Sequence, residues 1–159
     1  MKILVMGNSS SGKSTLAKDR VAQYGVAHLD LDVLAWLPTA PPERQALHVS
    51  YEKIQQFIDA NESWVIEGCY ADLLAFAAKE ADELIFMNLP IEACIANAKN
   101  RPWEPHKYET KAAQDANLNM LIEWISQYPH RDDSCSQSAH HALYQQFKKT
   151  KTQHTSNFS

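Results

Sequence analysis

Gly7-Asn8-Ser9-Ser10-Ser11-Gly12-Lys13-Ser14 reads G-x-x-x-x-G-K-[ST], and the rest of the chain is organised around it. Before it stands Lys2-Ile3-Leu4-Val5-Met6, a short apolar run with β-branched residues, whose reading is a buried strand. After it, Ser14 to Ala22 is helix-forming, with Leu16, Ala17 and Val21 available to one face. Strand, glycine-rich turn and helix in that order are the context in which this spacing makes a phosphate-binding P-loop. A chance match arises in on the order of one per cent of chains this long, and the correct flanks lower that further.

Each position has a physical job. Glycine at 7 and 12 allows backbone conformations that a Cβ forbids, so successive N–H groups can point at a phosphate. A helix starting near Lys13 adds unsatisfied N–H groups and the positive end of its dipole. Lys13 is a point charge long enough to reach the β- and γ-phosphates, and the Ser14 hydroxyl can ligate Mg²⁺. The expected nucleotide-binding set is Gly7, Asn8, Ser9, Ser10, Ser11, Gly12, Lys13, Ser14 and Thr15, with ATP and Mg²⁺ as the ligands.

The bulk properties narrow the class. A chain of 159 residues supports one domain with a sizeable core, spanning 1–159. Hydrophobic residues at 45% and charged residues at 21% are ordinary for a globular protein. The formal net charge of −4 argues against a general nucleic-acid binder, which needs a basic surplus. No apolar run approaches ~18 residues and no leader is visible, so no membrane segment is expected. Cys69, Cys94 and Cys135 are scattered and odd in number, which fits reduced thiols in the cytoplasm.

Outward from the motif, strands and helices alternate. Gly25 to Asp30 reads as a second strand, running into a short helix over Leu31 to Leu37. Pro38, Pro41 and Pro42 break the chain, and Glu43 to Ala60 reads as a helix with Leu47, Tyr51, Ile54 and Ile58 on one face. Trp64 to Gly68 is a third strand, Ala71 to Glu80 a helix, and Glu83 to Leu89 a fourth strand stopped by Pro90. Ile91, Cys94, Ile95 and Ala98 mark an amphipathic helix. Asn100 to Tyr108 is a polar loop braked by Pro102 and Pro105 that carries Arg101, Trp103 and Lys107. A helix follows to about Tyr128, another starts near Arg131, and Lys149 to Thr155 offers a last strand. The pattern argues for a parallel α/β sheet with crossovers.

In such a sheet, ligands sit beyond the carboxyl ends of the strands. Asp30 and Asp32 fall there after the second strand, and Glu67 after the third. A carboxylate beside a P-loop can hold Mg²⁺ or accept a proton from an attacking hydroxyl. Read structurally, Asp32 is a helix N-cap and the others are solvated acids. His130, Cys135, His140 and His141 match no structural zinc spacing. Trp36, Trp103 and Trp124 can each stack on a base; Trp124, at helical spacing, reads as core, while Trp103 is the better candidate, open to stacking or to packing.

His28-Leu29-Asp30-Leu31-Asp32 and Trp64-Val65-Ile66-Glu67-Gly68-Cys69-Tyr70, taken with the P-loop lysine, resemble motifs of the P-loop small-molecule kinases, the adenylate and shikimate kinase set. Within it, the chain is similar to the branch of topology modulation, or adenylate-kinase-related, proteins over roughly 1–147. The resemblance implies a five-stranded parallel sheet, a substrate-binding helical segment at about 38–60 and a mobile lid at about 100–131. It gives Asp30 a metal-and-base position, Asp32 a substrate contact, and Glu67 a metal-associated place near the substrate. It makes Arg101 a lid arginine over the transferred phosphate and relates Arg131 to the distal end of the lid, on the nucleotide. Arg44 and Tyr70 join the candidate substrate contacts. The catalytic set is Lys13, Asp30 and Arg101; the metal set is Ser14, Asp30 and Glu67. The expected function is transfer of the γ-phosphoryl group of ATP to a small-molecule acceptor, a nucleotide among the candidates, so the partners expected are a nucleoside triphosphate and that acceptor.

Two departures bear on that acceptor. The chain has only four arginines, Arg20, Arg44, Arg101 and Arg131, where nucleotide kinases surround their phosphates with several. In place of an Asp-Gly-x-Pro-Arg segment after the third strand stands Glu67-Gly68-Cys69-Tyr70. Adenylate therefore fits poorly as acceptor. The low arginine count also suits a regulatory protein that binds ATP and closes without small-molecule turnover, whereas the Asp30/Asp32 pair suits an enzyme.

Overall fold

The computed structural model describes residues 1–157. Strand β1 (Lys2–Gly7) is the centre of a five-stranded parallel sheet. Its neighbours are β5 (Trp64–Gly68) on one side and β6 (Glu83–Met87) on the other. β2 (Ala27–Asp30) closes the sheet beside β5, and β7 (Thr150–His154) closes it beside β6.

The continuous apolar run of β1 has a simple cause, since helices cover both faces and every residue from Ile3 to Met6 is buried. Side chains alternate across the pleat. Ile3 and Val5 pack with Ala17 of α1 (Lys13–Tyr24), Cys94 and Ala98 of α5 (Ile91–Lys99), and Ile125 of α7 (Leu118–Ser126). Leu4 and Met6 face a larger cluster. That one contains Ile54 of α3 (Leu47–Ala60), Leu73 and Leu74 of α4 (Ala71–Ala78), and Leu143 of α8 (Gln137–Gln146). The edge strand β7 is polar and exposed along its length, composition that discourages pairing with another edge.

Several boundaries differ from the sequence reading. The helix expected from Leu31 to Leu37 shrinks to α2 (Asp32–Ala35). Trp36–Leu37 instead forms β3, pairing antiparallel with β4 (Glu43–Arg44), so the expected Glu43–Ala60 helix begins at Leu47. The segment around 38–60 is thus a hairpin followed by a helix. The hairpin is set by tertiary contacts: Gln45 N–H donates to the Ala35 carbonyl at 2.8 Å, and Arg44 Nε reaches the same carbonyl. The helix expected to run to Tyr128 is two, α6 (Lys111–Ala116) and α7, parted at Asn117. There the Asn117 side-chain amide donates to the Tyr108 hydroxyl at 2.9 Å. The helix expected from Arg131 starts only after Ser136, whose hydroxyl caps it by accepting the Ala139 N–H at 3.0 Å.

The register brings the functional candidates to one edge. Gly7 is opposite Met87, Met6 opposite Gly68, and Asp30 opposite Glu67. The loop after β1 and the acids ending β2 and β5 therefore share the carboxyl rim of the sheet.

Candidate functional site

The turn from β1 into α1 is tight. Ser10 has φ 61° and Gly12 φ 92°, two left-handed residues separated by Ser11, the kind of backbone that gathers N–H groups into an anion-binding concavity. A Cβ on Gly7 would lie 2.5 Å from the Met87 carbonyl oxygen, so only glycine lets the loop leave the sheet here. Asn8 is buried and braces the turn, accepting the Ser9 N–H at 2.8 Å and donating to the Ile125 carbonyl at 3.2 Å. Lys13 curls over the loop, its Nζ donating to the Asn8 carbonyl at 2.6 Å. Asn97 and Asn157 donate to the carbonyls of Ser10 and Ser11, and Arg101 donates to Ser10 Oγ. Ser11 Oγ is buried with no partner among the described residues. Thr15 is exposed on the first turn of α1.

Beside the loop lies Glu67, 2% exposed, whose Oε2 accepts from Ser14 Oγ at 2.7 Å and from His28 Nε2 at 2.9 Å. Burial pushes its carboxyl upward, but the His28 hydrogen bond, the Lys13 charge and the Ser14 hydroxyl outweigh that and hold it below its ordinary value. Asp30 is the opposite case. Burial, then the charges of Glu67 and Asp32, raise its carboxyl above the usual range despite Lys107 nearby. One Asp30 oxygen accepts the Asp32 N–H at 2.9 Å, and the other faces Lys107 Nζ at 3.5 Å.

Asp32 accepts from the Tyr70 hydroxyl at 2.6 Å and from Lys107 Nζ at 3.1 Å. Burial works to raise its carboxyl, yet Lys107 and the Tyr70 hydrogen bond prevail and lower it. Tyr70 in turn accepts from Trp36 Nε1 at 2.7 Å. Arg44 lies over the Tyr70 ring, 4.8 Å from its centroid, and donates to both Asp72 oxygens at 3.3 Å. Lys107 also lies 3.8 Å from Glu104, which pairs with Arg101 at 3.0 Å.

No family model matches the chain, and no curated protein matches it. Among solved structures it is similar to the unliganded crystal structure of a sugar kinase from Janibacter sp. HTCC2649. The TM-score is 0.53 at 11% identity, over 96% of this chain and 83% of that one. The likeness is one of fold.

The loop Gly7–Ser14, Asp30, Asp32, Glu67, Tyr70 and Arg101 meet in one linked network. Arg44 joins it through Tyr70. Arg131 stands apart from the acids: its guanidinium lies 3.2 Å from the Trp124 ring centroid, with Nε on Asp133 at 3.0 Å and Nη1 on the Trp124 carbonyl. That carbonyl neighbours the Ile125 carbonyl bound by Asn8, so Arg131 is tied to the loop through α7. Trp103 donates to the Tyr108 carbonyl within its own loop at 3.0 Å.

The sequence reading left His28, Asp72 and Glu104 without a role, and placed Lys107 in the lid segment without a partner; Trp36, a candidate for stacking on a base, instead donates to Tyr70. His28 had a signal, standing two residues before Asp30 on the same face of a strand. Among the described residues no three or more His, Cys, Asp or Glu side chains gather as a metal cage. His140 has both ring nitrogens engaged, by the Tyr128 hydroxyl and the Cys69 carbonyl.

Proposed function

We propose that this protein is a Mg²⁺- and ATP-dependent kinase, transferring the γ-phosphoryl group of ATP to a hydroxyl of a small molecule. The observation that carries this is the meeting of Lys13 and Ser14 with Glu67 and Asp30 at the sheet rim, Ser14 Oγ touching Glu67 at 2.7 Å. The structural neighbour is a sugar kinase, and that likeness brings sugars and similar hydroxyl compounds to this chain as acceptors. Residues 1–159 act as one domain, with 38–60 against the acceptor and 100–131 as the lid.

The residues present fit the ligands. Ser14, Glu67 and Asp30 offer only oxygen, the donor set that suits Mg²⁺, and His28 orients Glu67 from behind. When bound, the ion neutralises charge on the phosphate oxygens. Lys13 and the loop N–H groups hold the triphosphate, Gly7 to Thr15 forming the cradle. Asp30 accepts the proton of the acceptor hydroxyl; its raised carboxyl is better matched to that task than an ordinary aspartate. Arg101, already on the loop through Ser10, covers the transferred group, and Arg131 steadies the nucleotide side of the lid. Asp32, Tyr70 and Arg44 position the acceptor. Three thiols without a disulfide fit a cytoplasmic protein.

Lys13→Ala removes a charge-assisted contact of roughly 1.5–3 kcal/mol, so Mg·ATP affinity should fall about ten- to a hundredfold. Calorimetry on the folded variant decides it, and unchanged affinity would sink the assignment. If wild type binds Mg·ATP and releases no ADP with any acceptor, the ATP-responsive regulatory reading replaces the kinase.

A further inference from the structure

We infer that the acceptor is a hydroxyl compound bearing no phosphate or carboxylate group. The inference rests on the kinase reading and concerns the charge of the site on its acceptor side. Lys13 and Arg101 lie on the loop, where the triphosphate needs them. What remains around the acceptor is Asp30, Asp32 and Asp72 against two cations, Lys107 and Arg44, with Glu104 already paired to Arg101 at 3.0 Å. An acceptor anion would enter a region already negative by one charge, before the donor's own phosphates are counted.

Neither cation is disengaged. Lys107 is shared among three carboxylates, at 3.1 Å from Asp32, 3.5 Å from Asp30 and 3.8 Å from Glu104. Arg44 faces both oxygens of Asp72 at 3.3 Å, donates to the Ala35 carbonyl and lies over the Tyr70 ring. Recognition of a phosphate or carboxylate works best with a guanidinium presenting two parallel donors to it. Arg44 would have to give up Asp72 to do so, leaving that carboxylate unpaired beside the new anion. The other arginines are placed elsewhere. Arg101 is on Ser10 and Glu104, Arg131 is on Trp124 and Asp133, and Arg20 lies seven residues along α1 from Lys13, about 10 Å by helical rise.

The same groups suit a neutral or amine-bearing polyol. Asp30 and Asp32 are acceptors for hydroxyl or ammonium donors, as the Lys107 ammonium between them already illustrates. Trp36, 39% exposed and linked to Asp32 through the Tyr70 hydroxyl, offers an aromatic face for the C–H surface of a sugar or for a cation. The site thus selects partly by rejection, through carboxylates that an anionic acceptor cannot satisfy.

The test is ADP release with Mg·ATP over acceptor sets that share a skeleton and differ in charge. Suitable sets are glucose, glucosamine, gluconate and glucose 6-phosphate; glycerol and glycerol 3-phosphate; and adenosine and AMP, within a wider panel of sugars, polyols and amino alcohols with their acids and phosphates. The best acceptor should be neutral or cationic, with kcat/KM at least tenfold above that of its anionic counterpart. Asp72→Asn, which releases Arg44, should narrow that ratio severalfold by improving the anionic member. If an anionic acceptor is best, with ADP release abolished by Lys13→Ala, the charge inference is overturned while the kinase reading stands. If Mg·ATP binds and no acceptor supports ADP release, the kinase reading falls and this inference with it.

Discussion

Asp30 is in the least favourable electrostatic position of the three rim acids. Glu67 and Asp32 are each compensated by donors, whereas Asp30 takes burial and the repulsion of both, and its carboxyl is raised. For an acid whose folded value lies above its unfolded value, the ionised form costs stability at every pH above the folded value. The cost disappears once pH falls below the unfolded value of about 3.8. Asp30→Asn should therefore leave the thermal midpoint at pH 7 equal or higher, with the gain shrinking as the medium is acidified. Turnover should fall by ~10²–10⁴, the usual worth of general-base assistance, while ATP affinity changes little. Calorimetry and ADP release read the two effects separately; a lowered midpoint with near wild-type turnover would assign Asp30 a structural role. That pattern, stability given up where chemistry is done, is expected of functional groups.

Within the proposed lid of residues 100–131, the part up to α6 is held to the rest of the molecule mainly by polar contacts. α6 has no buried residue, and its N-terminal loop is fastened by polar contacts: Arg101 to Ser10, Lys107 to Asp32, Gln114 to the Pro102 carbonyl and the Glu104 N–H. Such contacts open at low free-energy cost compared with the strands, so residues 100–116 are expected to open readily. Hydrogen exchange over residues 102–116 should be fast in the free protein and slow severalfold or more when Mg·ATP and an acceptor are both bound. Equal protection in the two states would mark the segment as a fixed structural element. α7 is anchored differently, through Ile125 in the core and through Asn8, and should exchange slowly in both.

For the molecule as a whole, His140 should couple acid to unfolding, alongside the lowered carboxyls of Glu67 and Asp32. It joins α8 to the turn after β5 through the Cys69 carbonyl at 2.7 Å, and accepts the Tyr128 hydroxyl at 2.6 Å. Its Nε2 must carry the hydrogen to serve a carbonyl, so Nδ1 is the acceptor and the ring is neutral. Burial pushes its pKa down to about 4 from 6.5. A base with a depressed folded value binds fewer protons folded than unfolded, so its stability is present above pH 6.5 and lost as pH falls towards 4. The loss should be roughly 3 kcal/mol, a large share of a typical folding free energy. Urea denaturation at pH 7 and pH 4.5 should show wild type losing more stability than His140→Gln between the two. Equal slopes would place the acid sensitivity in the carboxylates instead.

What could be read from the chain alone was local. The turn from Gly7 to Ser14 was legible because its backbone geometry is set among neighbours, and β1, β5 and β6 because strands buried on both faces must be continuously apolar. Asp30, Asp32 and Glu67 were legible because strand ends in such a sheet form its rim. The partners of those acids were not. Lys107 reaches Asp32 across 75 residues, His28 reaches Glu67 across 39, and Arg44 reaches Asp72 across 28. No periodicity links residues so far apart, and the charge of each says only that it needs some counterpart. The two-residue strands β3 and β4 were hidden for the same reason, since their geometry comes from Arg44 and Gln45 meeting Ala35. Tertiary packing alone decided which cation met which acid, because an ion pair requires proximity in space and the sequence records only order along the chain.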